Sequence, residues 1–143
     1  MTDTEIWRTD YSAETTAAPI TIWRIFKNVA GWKDWNAGIA EIVIDGPFAA
    51  GTWFTMQPPG EAPLRCRLVE VRDNACFVDE TRVGDLVVTV AHKIEPASGG
   101  RSRITYAVEA KGPDAADIGA AVSADFPDVL AALVKLAEAK QAS

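Results

Sequence analysis

The chain has 143 residues, 48% of them hydrophobic and 24% charged, which is the size and composition of one globular domain with a buried core. The net charge is −6 and no run of lysine or arginine occurs, which argues against nucleic-acid binding, because phosphates require a basic surface. No stretch approaches the roughly 18 consecutive apolar residues that would span a membrane. We therefore interpret residues 1–143 as a single soluble domain.

The first predicted element is a strand over Glu5–Thr15, where more polar side chains alternate with less polar ones and the two sets fall on opposite faces. Pro19 suits the first turn of a helix, because its missing N–H costs no hydrogen bond there, and Gly31 is the predicted end. A second short helix is predicted over Trp32–Ala37, with tryptophans at both i and i+3. Helices this short are marginal alone and are expected to pack on the body of the protein.

Six further strands are predicted between residues 39 and 111, because glycine and proline clusters divide this stretch into segments of strand length. Sequential strands joined by short turns form an antiparallel meander. Gly84-Asp85 predicts a two-residue hairpin turn, since glycine at the first position suits a type II′ turn. The predicted strands are Ile39–Ile44, Gly51–Gln57, Leu64–Val71, Cys76–Val83, Leu86–Glu95 and Arg101–Lys111.

A long amphipathic helix is predicted over Asp114–Lys140. Pro127 is expected to kink it or to start a new helix, because a proline inside a helix removes a hydrogen bond and clashes one turn back. The alanine-rich segment before Pro127 is expected to be the more mobile part. The element order predicts an α+β fold, in which the last helix crosses the concave face of a curved seven-stranded antiparallel sheet and leaves room for a cavity.

Short motifs along the chain fit a known pattern. They are Ala18-Pro19 with Trp23 and Phe26, Asn28-Val29, Trp32 and Trp35, Gly46-Pro47-Phe48, Gly51-Thr52 with Phe54 and Met56, His92, the segment 100–104, and Gly112-Pro113. With the element order, they resemble the START-like or SRPBCC superfamily, and most closely its polyketide cyclase/dehydrase-like branch. The resemblance implies the helix-grip fold. It does not choose a function, because the superfamily includes lipid and hormone binders, aromatase/cyclases, quinone-binding proteins, co-chaperones and toxins.

The candidate catalytic residues follow from the hairpin register. A two-residue turn at Gly84-Asp85 pairs Phe77 with His92 and places both on the more apolar face, toward the cavity. Asp79 shares that face but lies one two-residue step away, about 6.6 Å along the strand, and is not adjacent to His92. Tyr106 lies on the same face of the next strand, where a buried hydroxyl needs a partner. These side chains are the acid–base candidates, with an ordinary role in the core as the alternative for each.

The two cysteines lack CxxC spacing and are too few for a disulfide framework, and the N-terminus shows no secretion signal. A reducing cytoplasm is therefore the expected location. No metal or cofactor is expected, because one histidine and scattered carboxylates offer no ligand spacing.

An apolar pocket with a few polar anchors is predicted between the sheet and the C-terminal helix, as small-molecule sites usually show. A neutral or anionic amphipathic ligand fits such a pocket better than a sugar or a nucleotide. The predicted ligand-binding residues are Phe54, Met56, Cys66, Phe77, Asp79, Val90, His92, Tyr106, Ile118, Val122 and Phe126.

Three functions are left open by the sequence. The first is the binding of a small, mostly apolar molecule that is lipid-, quinone- or polyketide-like. The second is an enzyme of the polyketide cyclase/dehydrase type, and the third is a co-chaperone-like domain whose groove binds a protein partner. The sequence does not choose the ligand, and a homodimer is also left open.

Overall fold

The structure is a computed structural model that describes residues 5–142. Its elements follow the predicted order, with strands β1 to β7 and helices α1 to α3. They are β1 Ile6–Thr15, α1 Pro19–Lys27, a 3-10 helix Val29–Asp34, β2 Glu41–Ile44, β3 Trp53–Gln57, β4 Leu64–Arg72, β5 Cys76–Val83, β6 Leu86–Pro96, a 3-10 turn Ser98–Gly100, β7 Ser102–Lys111, α2 Ala115–Ser123 and α3 Phe126–Ala142.

The seven strands form one antiparallel sheet in the order β1-β7-β6-β5-β4-β3-β2. The predicted meander is confirmed, and β1 joins it by pairing with β7. The hairpin register is confirmed as well, with Val83 opposite Leu86 and Phe77 opposite His92. Because β1 and β2 are the two edges, the chain crosses from one edge to the other through α1 and the 3-10 helix.

The predicted second short helix is confirmed, but its predicted bounds of Trp32–Ala37 are wrong. It is a 3-10 helix over Val29–Asp34, so Gly31 lies inside this turn and α1 ends earlier, at Lys27. The local cause is the Trp32 indole, whose Nε1 donates a hydrogen bond of 2.9 Å to the carbonyl of Phe26. This bond holds the 3-10 helix against the end of α1.

The C-terminal segment forms two helices rather than one, as the proline predicted. α3 begins at Phe126 and has Pro127 in its first turn, where a proline is tolerated. α2 packs on β1 and β7, whereas α3 packs on β1 and α1. Gly119 allows the close approach of α2, because a side chain there would overlap the Trp7 ring.

The core is divided into two groups of buried side chains. The larger joins α1, the 3-10 helix and α3 to the concave face of the sheet. The smaller lies under α2 and contains Val88 and Val90 of β6. Asp79 of β5 lies at the seam, because Phe77 on its own strand belongs to the larger group and Val90, directly opposite, belongs to the smaller. Within residues 5–142, the helices are too short or too polar to cross a bilayer.

Candidate functional site

The three predicted acid–base residues meet on the concave face. Asp79 lies on β5, His92 on β6 and Tyr106 on β7, with His92 directly opposite Tyr106. The expectation that Asp79 and His92 are not adjacent is wrong, because His92 Nε2 lies 3.9 Å from Asp79 Oδ2. Diagonal neighbours on a pleated sheet are within reach of long side chains, whatever the spacing of their backbones. We call these three residues the polar triad.

His92 is held as a neutral ring with a defined tautomer. Its Nδ1 lies 3.3 Å from the carbonyl oxygen of Phe77, and since a carbonyl only accepts, Nδ1 carries the proton and Nε2 is left as an acceptor. Burial lowers the pKa of His92 to about 3, against the opposite effect of the backbone carbonyls of Phe77 and Val90. The imidazole stacks on the Phe77 ring, with 3.9 Å between centroids and 8° between planes.

Asp79 has no cationic partner. Burial raises the pKa of its carboxyl to about 7, and its ionisable neighbours in residues 5–142, which are His92, Tyr106 and Cys66, carry no positive charge at neutral pH. The side chain remains 14% exposed although it lies near the centre of the sheet. At neutral pH the carboxyl is therefore divided between its protonated and ionised forms.

Within residues 5–142 the polar side chains of the triad are bonded to the backbone at His92 and not to one another. The interior nitrogen and oxygen atoms that are fully buried and unpaired in residues 5–142 are Trp23 Nε1 and Arg67 Nε. The triad atoms are not among these: the side chains of Asp79 and His92 are 14% and 11% exposed, and their Oδ2 and Nε2 atoms are 3.9 Å apart, beyond hydrogen-bond distance. Buried polar groups are usually paired, so three such groups together indicate a place for a ligand or for water.

An aromatic cluster forms one wall of the site. Phe77 is at its centre, stacked on Trp32 with 5.5 Å between centroids and in edge contact with Phe26 and Phe48 at 5.0 and 5.2 Å. Phe26 was predicted as part of the apolar face of its helix, whereas Phe48 lies in an irregular segment where no periodic signal predicts burial. The cluster consists of Trp23, Phe26, Trp32, Phe48, Phe54, Phe77, His92, Tyr106 and Phe126.

Several predicted pocket residues border the polar triad. Phe126 is half-buried and meets Tyr106 edge-on, with 5.4 Å between ring centroids. Val90 lies opposite Asp79, and Ile118 packs with it in the group under α2. Val122, one turn further along α2, is 40% exposed. α2 therefore packs on the buried group that contains Val90, beside the triad, and presents part of its apolar surface to solvent.

The predicted residues on β3 and β4 lie on the same face but farther along the sheet. Phe54 is buried against Trp32, and Met56 is half-buried at the end of β3. Cys66 accepts a hydrogen bond of 3.1 Å from the Thr81 hydroxyl, and burial raises the pKa of its thiol to about 12. Cys66 is therefore an unreactive thiol, because the thiolate is the nucleophilic form.

Two surface cavities, each of about 410 Å³, lie away from the triad. One is bounded by α1, the 3-10 helix and α3, and the other by the outer face of β1, β6 and β7; none of the predicted pocket residues lines either. Neither cavity includes a residue of the polar triad. Residues 5–142 hold no group of three or more side chains arranged to bind a metal ion.

Solved structures with the same fold include a plant enzyme. Norcoclaurine synthase from Thalictrum flavum, a point mutant in complex with a transition-state analogue, matches with a TM-score of 0.79 and 15% identity over 98% of this chain and 99% of its own. The same enzyme in complex with dopamine and hydroxybenzaldehyde matches with a TM-score of 0.74 and 17% identity, over 93% and 87% of the two chains. A protein from Nitrosomonas europaea gives 0.74 and 18%, over 95% and 97%.

Curated proteins give no significant sequence match. The sequence does match, over residues 7–138, the family described as polyketide cyclase / dehydrase and lipid transport. This match covers nearly all of the chain and agrees with the seven-stranded sheet and the helices packed on it. The chain therefore belongs to the polyketide cyclase / dehydrase and lipid transport family, a branch of the START-like superfamily with the helix-grip fold.

Proposed function

We propose that the protein binds a small, mostly apolar molecule of the lipid, quinone or polyketide class on the concave side of the sheet. The polar group of the ligand lies at the polar triad. The observation that carries this proposal is the meeting of three polar side chains, Asp79, His92 and Tyr106, on one face of the sheet beside an aromatic wall, with Asp79 and His92 still partly exposed. Apolar walls with sparse polar anchors are typical of small-molecule sites.

The energetics favour a ligand over water at this place. Apolar surface removed from water contributes roughly 25 cal/mol per Å², before the costs of binding are subtracted. Each hydrogen bond to the triad adds about 1 kcal/mol. The apolar part of the ligand thus supplies affinity and the triad supplies orientation.

We infer that a ligand reaches the polar triad by movement of an element beside it. α2 is the element best placed to move. It ends at Ser123 and is separated from α3 by two residues, its Ile118 is half-buried and its Val122 is largely exposed. We infer that α2 acts as a lid and that Phe126, at the start of α3, shifts with it. Norcoclaurine synthase, which has the same fold, has been solved in complex with dopamine and hydroxybenzaldehyde, so this fold is able to bind small aromatic molecules.

A ligand screen tests the proposal. Lipids, quinones and aromatic polyketides are screened by thermal shift, and those that stabilise the protein are titrated by calorimetry into wild type and Tyr106→Phe. Loss of the hydroxyl is expected to weaken binding by roughly fivefold to tenfold, equivalent to about 1 kcal/mol.

Tyr11→Phe is the matched control. Tyr11 lies opposite Tyr106 on β1 and is half-buried on the same face, and its loss of a hydroxyl should leave the affinity unchanged. Failure of every compound to bind would contradict the proposal, as would an equal effect of the two substitutions.

A second candidate function is an enzyme of the cyclase or dehydrase type. It is favoured by the carboxyl of Asp79, whose pKa burial raises to about 7, beside the acceptor His92 Nε2 at 3.9 Å. A group that is half-protonated near neutral pH can give or take a proton during a reaction. Product analysis of each bound compound tests this function. If the protein is an enzyme, wild type should convert a bound compound to product, and Asp79→Asn should abolish this turnover while binding persists.

A further inference from the structure

We propose that the polar group taken by this site is a protonated amine, so that the ligand is an amphipathic amine. This inference rests on the proposed function and names the chemical class of its ligand. It replaces the neutral or anionic ligand expected from the sequence, because the polar atoms of the triad mainly accept hydrogen bonds.

The triad mainly accepts hydrogen bonds. His92 Nδ1 faces the Phe77 carbonyl, so Nε2 can only accept in the neutral ring. The ionised Asp79 carboxylate accepts through both oxygens, and the Tyr106 hydroxyl oxygen can accept a further bond. A primary ammonium group carries three donors and no acceptor, and therefore complements these atoms. A hydroxyl offers one donor, and a carboxylate offers none.

The charge of the site also favours a protonated amine. No lysine or arginine of residues 5–142 forms an ion pair with Asp79. The titratable groups that face its carboxyl are His92 on β6, Tyr106 on β7 and Cys66 on β4, and none of them carries a positive charge at neutral pH. The helical side of the site is apolar at Ile118 and Phe126. A cation on the ligand would supply the missing charge.

The aromatic wall also suits a cation. Phe77 is stacked between His92 and Trp32, so the rings left to meet a ligand are those of Tyr106 and Phe126, with Tyr106 4.5 Å from the His92 ring and 5.4 Å from Phe126, centroid to centroid. Aromatic faces attract ammonium groups, and more strongly where water is excluded. The same faces offer no such attraction to an anion.

Phenylbutylamine, phenylbutanol and phenylbutyrate test the proposal, because they share one apolar body and differ in the polar group. Calorimetry at about pH 8 is expected to show the amine binding at least about tenfold more tightly than the alcohol, with the anion weakest. Below about pH 7 the affinity for the amine should fall by up to tenfold per pH unit, with release of one proton from Asp79 on binding. Calorimetry in two buffers of different ionisation enthalpy measures that proton.

Asp79→Asn should reduce amine binding to the level of the alcohol, whereas Asp10→Asn, an exposed site on the outer face of β1, should leave it unchanged. Binding of the alcohol or the anion as tightly as the amine would overturn the amine assignment and leave the proposed function standing. Equal amine affinity of Asp79→Asn and wild type would also overturn it. If none of the three compounds binds while a lipid, quinone or polyketide does, the amine assignment fails and the proposed function stands; if no compound of either set binds, both fail.

Discussion

Replacement of Asp79 by asparagine should make the folded protein more stable at neutral and alkaline pH. The pKa of this carboxyl rises from 3.8 to about 7 on folding, because the side chain is buried without a cationic partner. At about 1.4 kcal/mol per pKa unit, this shift corresponds to about 4 kcal/mol of stability. Asparagine keeps the shape of the side chain and cannot ionise, so the variant does not lose this stability when the pH rises.

The direction with pH follows from which state holds the proton more tightly. The folded state has the higher pKa, so the contribution of Asp79 is fully present below about pH 4 and is lost as the pH rises through about 7. Wild type and Asp79→Asn should therefore be about equally stable near pH 4. The variant should gain progressively up to about pH 8. Urea unfolding at several pH values measures the difference.

The effect of His92 on the pH dependence of stability has the opposite sign to that of Asp79. It is the same in wild type and in Asp79→Asn, so it cancels when the two proteins are compared. The pKa of His92 falls from 6.5 to about 3 on folding, so its contribution is present above pH 6.5 and lost as the pH falls toward 3. Between about pH 4 and pH 6.5 the two effects offset each other in wild type, whose stability should change little. Asp79→Asn should instead lose stability on acidification through this range.

The control is Asp10→Asn, an exposed aspartate on the outer face of the sheet. Its stability difference from wild type should not vary with pH. A constant difference between wild type and Asp79→Asn at all pH values would refute the reasoning, and so would a wild type that is the more stable protein at pH 8.

Three further predictions concern the ring of His92, the anchor of α3 and the lid. The ¹⁵N signals of His92 should show a neutral ring protonated at Nδ1 down to about pH 4; titration near pH 6.5 would contradict its burial. Glu138→Ala should lower the free energy of unfolding by about 2 kcal/mol, because this carboxylate accepts hydrogen bonds of 2.8 and 3.3 Å from the Thr15 hydroxyl and the Thr16 N–H. The exposed Glu95→Ala is its control and should change stability by under about 0.5 kcal/mol in denaturant unfolding. Amides of α2 should exchange with deuterium faster than those of α3, and equal protection would rule out a mobile lid.

Much of the fold could be predicted from the sequence, because its signals are local. Alternation of side chains located the strands, and the Gly84-Asp85 turn fixed the register that places Phe77 opposite His92. Pro127 located the start of α3 for an equally local reason, the clash of a proline inside a helix.

The rest depended on packing between distant segments. The 3-10 helix forms because the Trp32 indole bonds to Phe26, and the burial of Phe48 against Phe77 has no periodic signal in its loop. The approach of His92 to Asp79 could not be read from strand spacing either. Backbone positions one step apart allow side chains to meet, and whether they do is decided by neighbouring rings.

The central claim is that an apolar ligand places its polar group at the polar triad. His92 is the only histidine of the chain, so its imidazole signals report on the site by NMR without ambiguity. Saturation with a compound that binds should shift these signals, and nuclear Overhauser contacts should connect the ligand to the rings of His92 and Tyr106. Tight binding that leaves the His92 signals unchanged would place the ligand elsewhere and contradict the account.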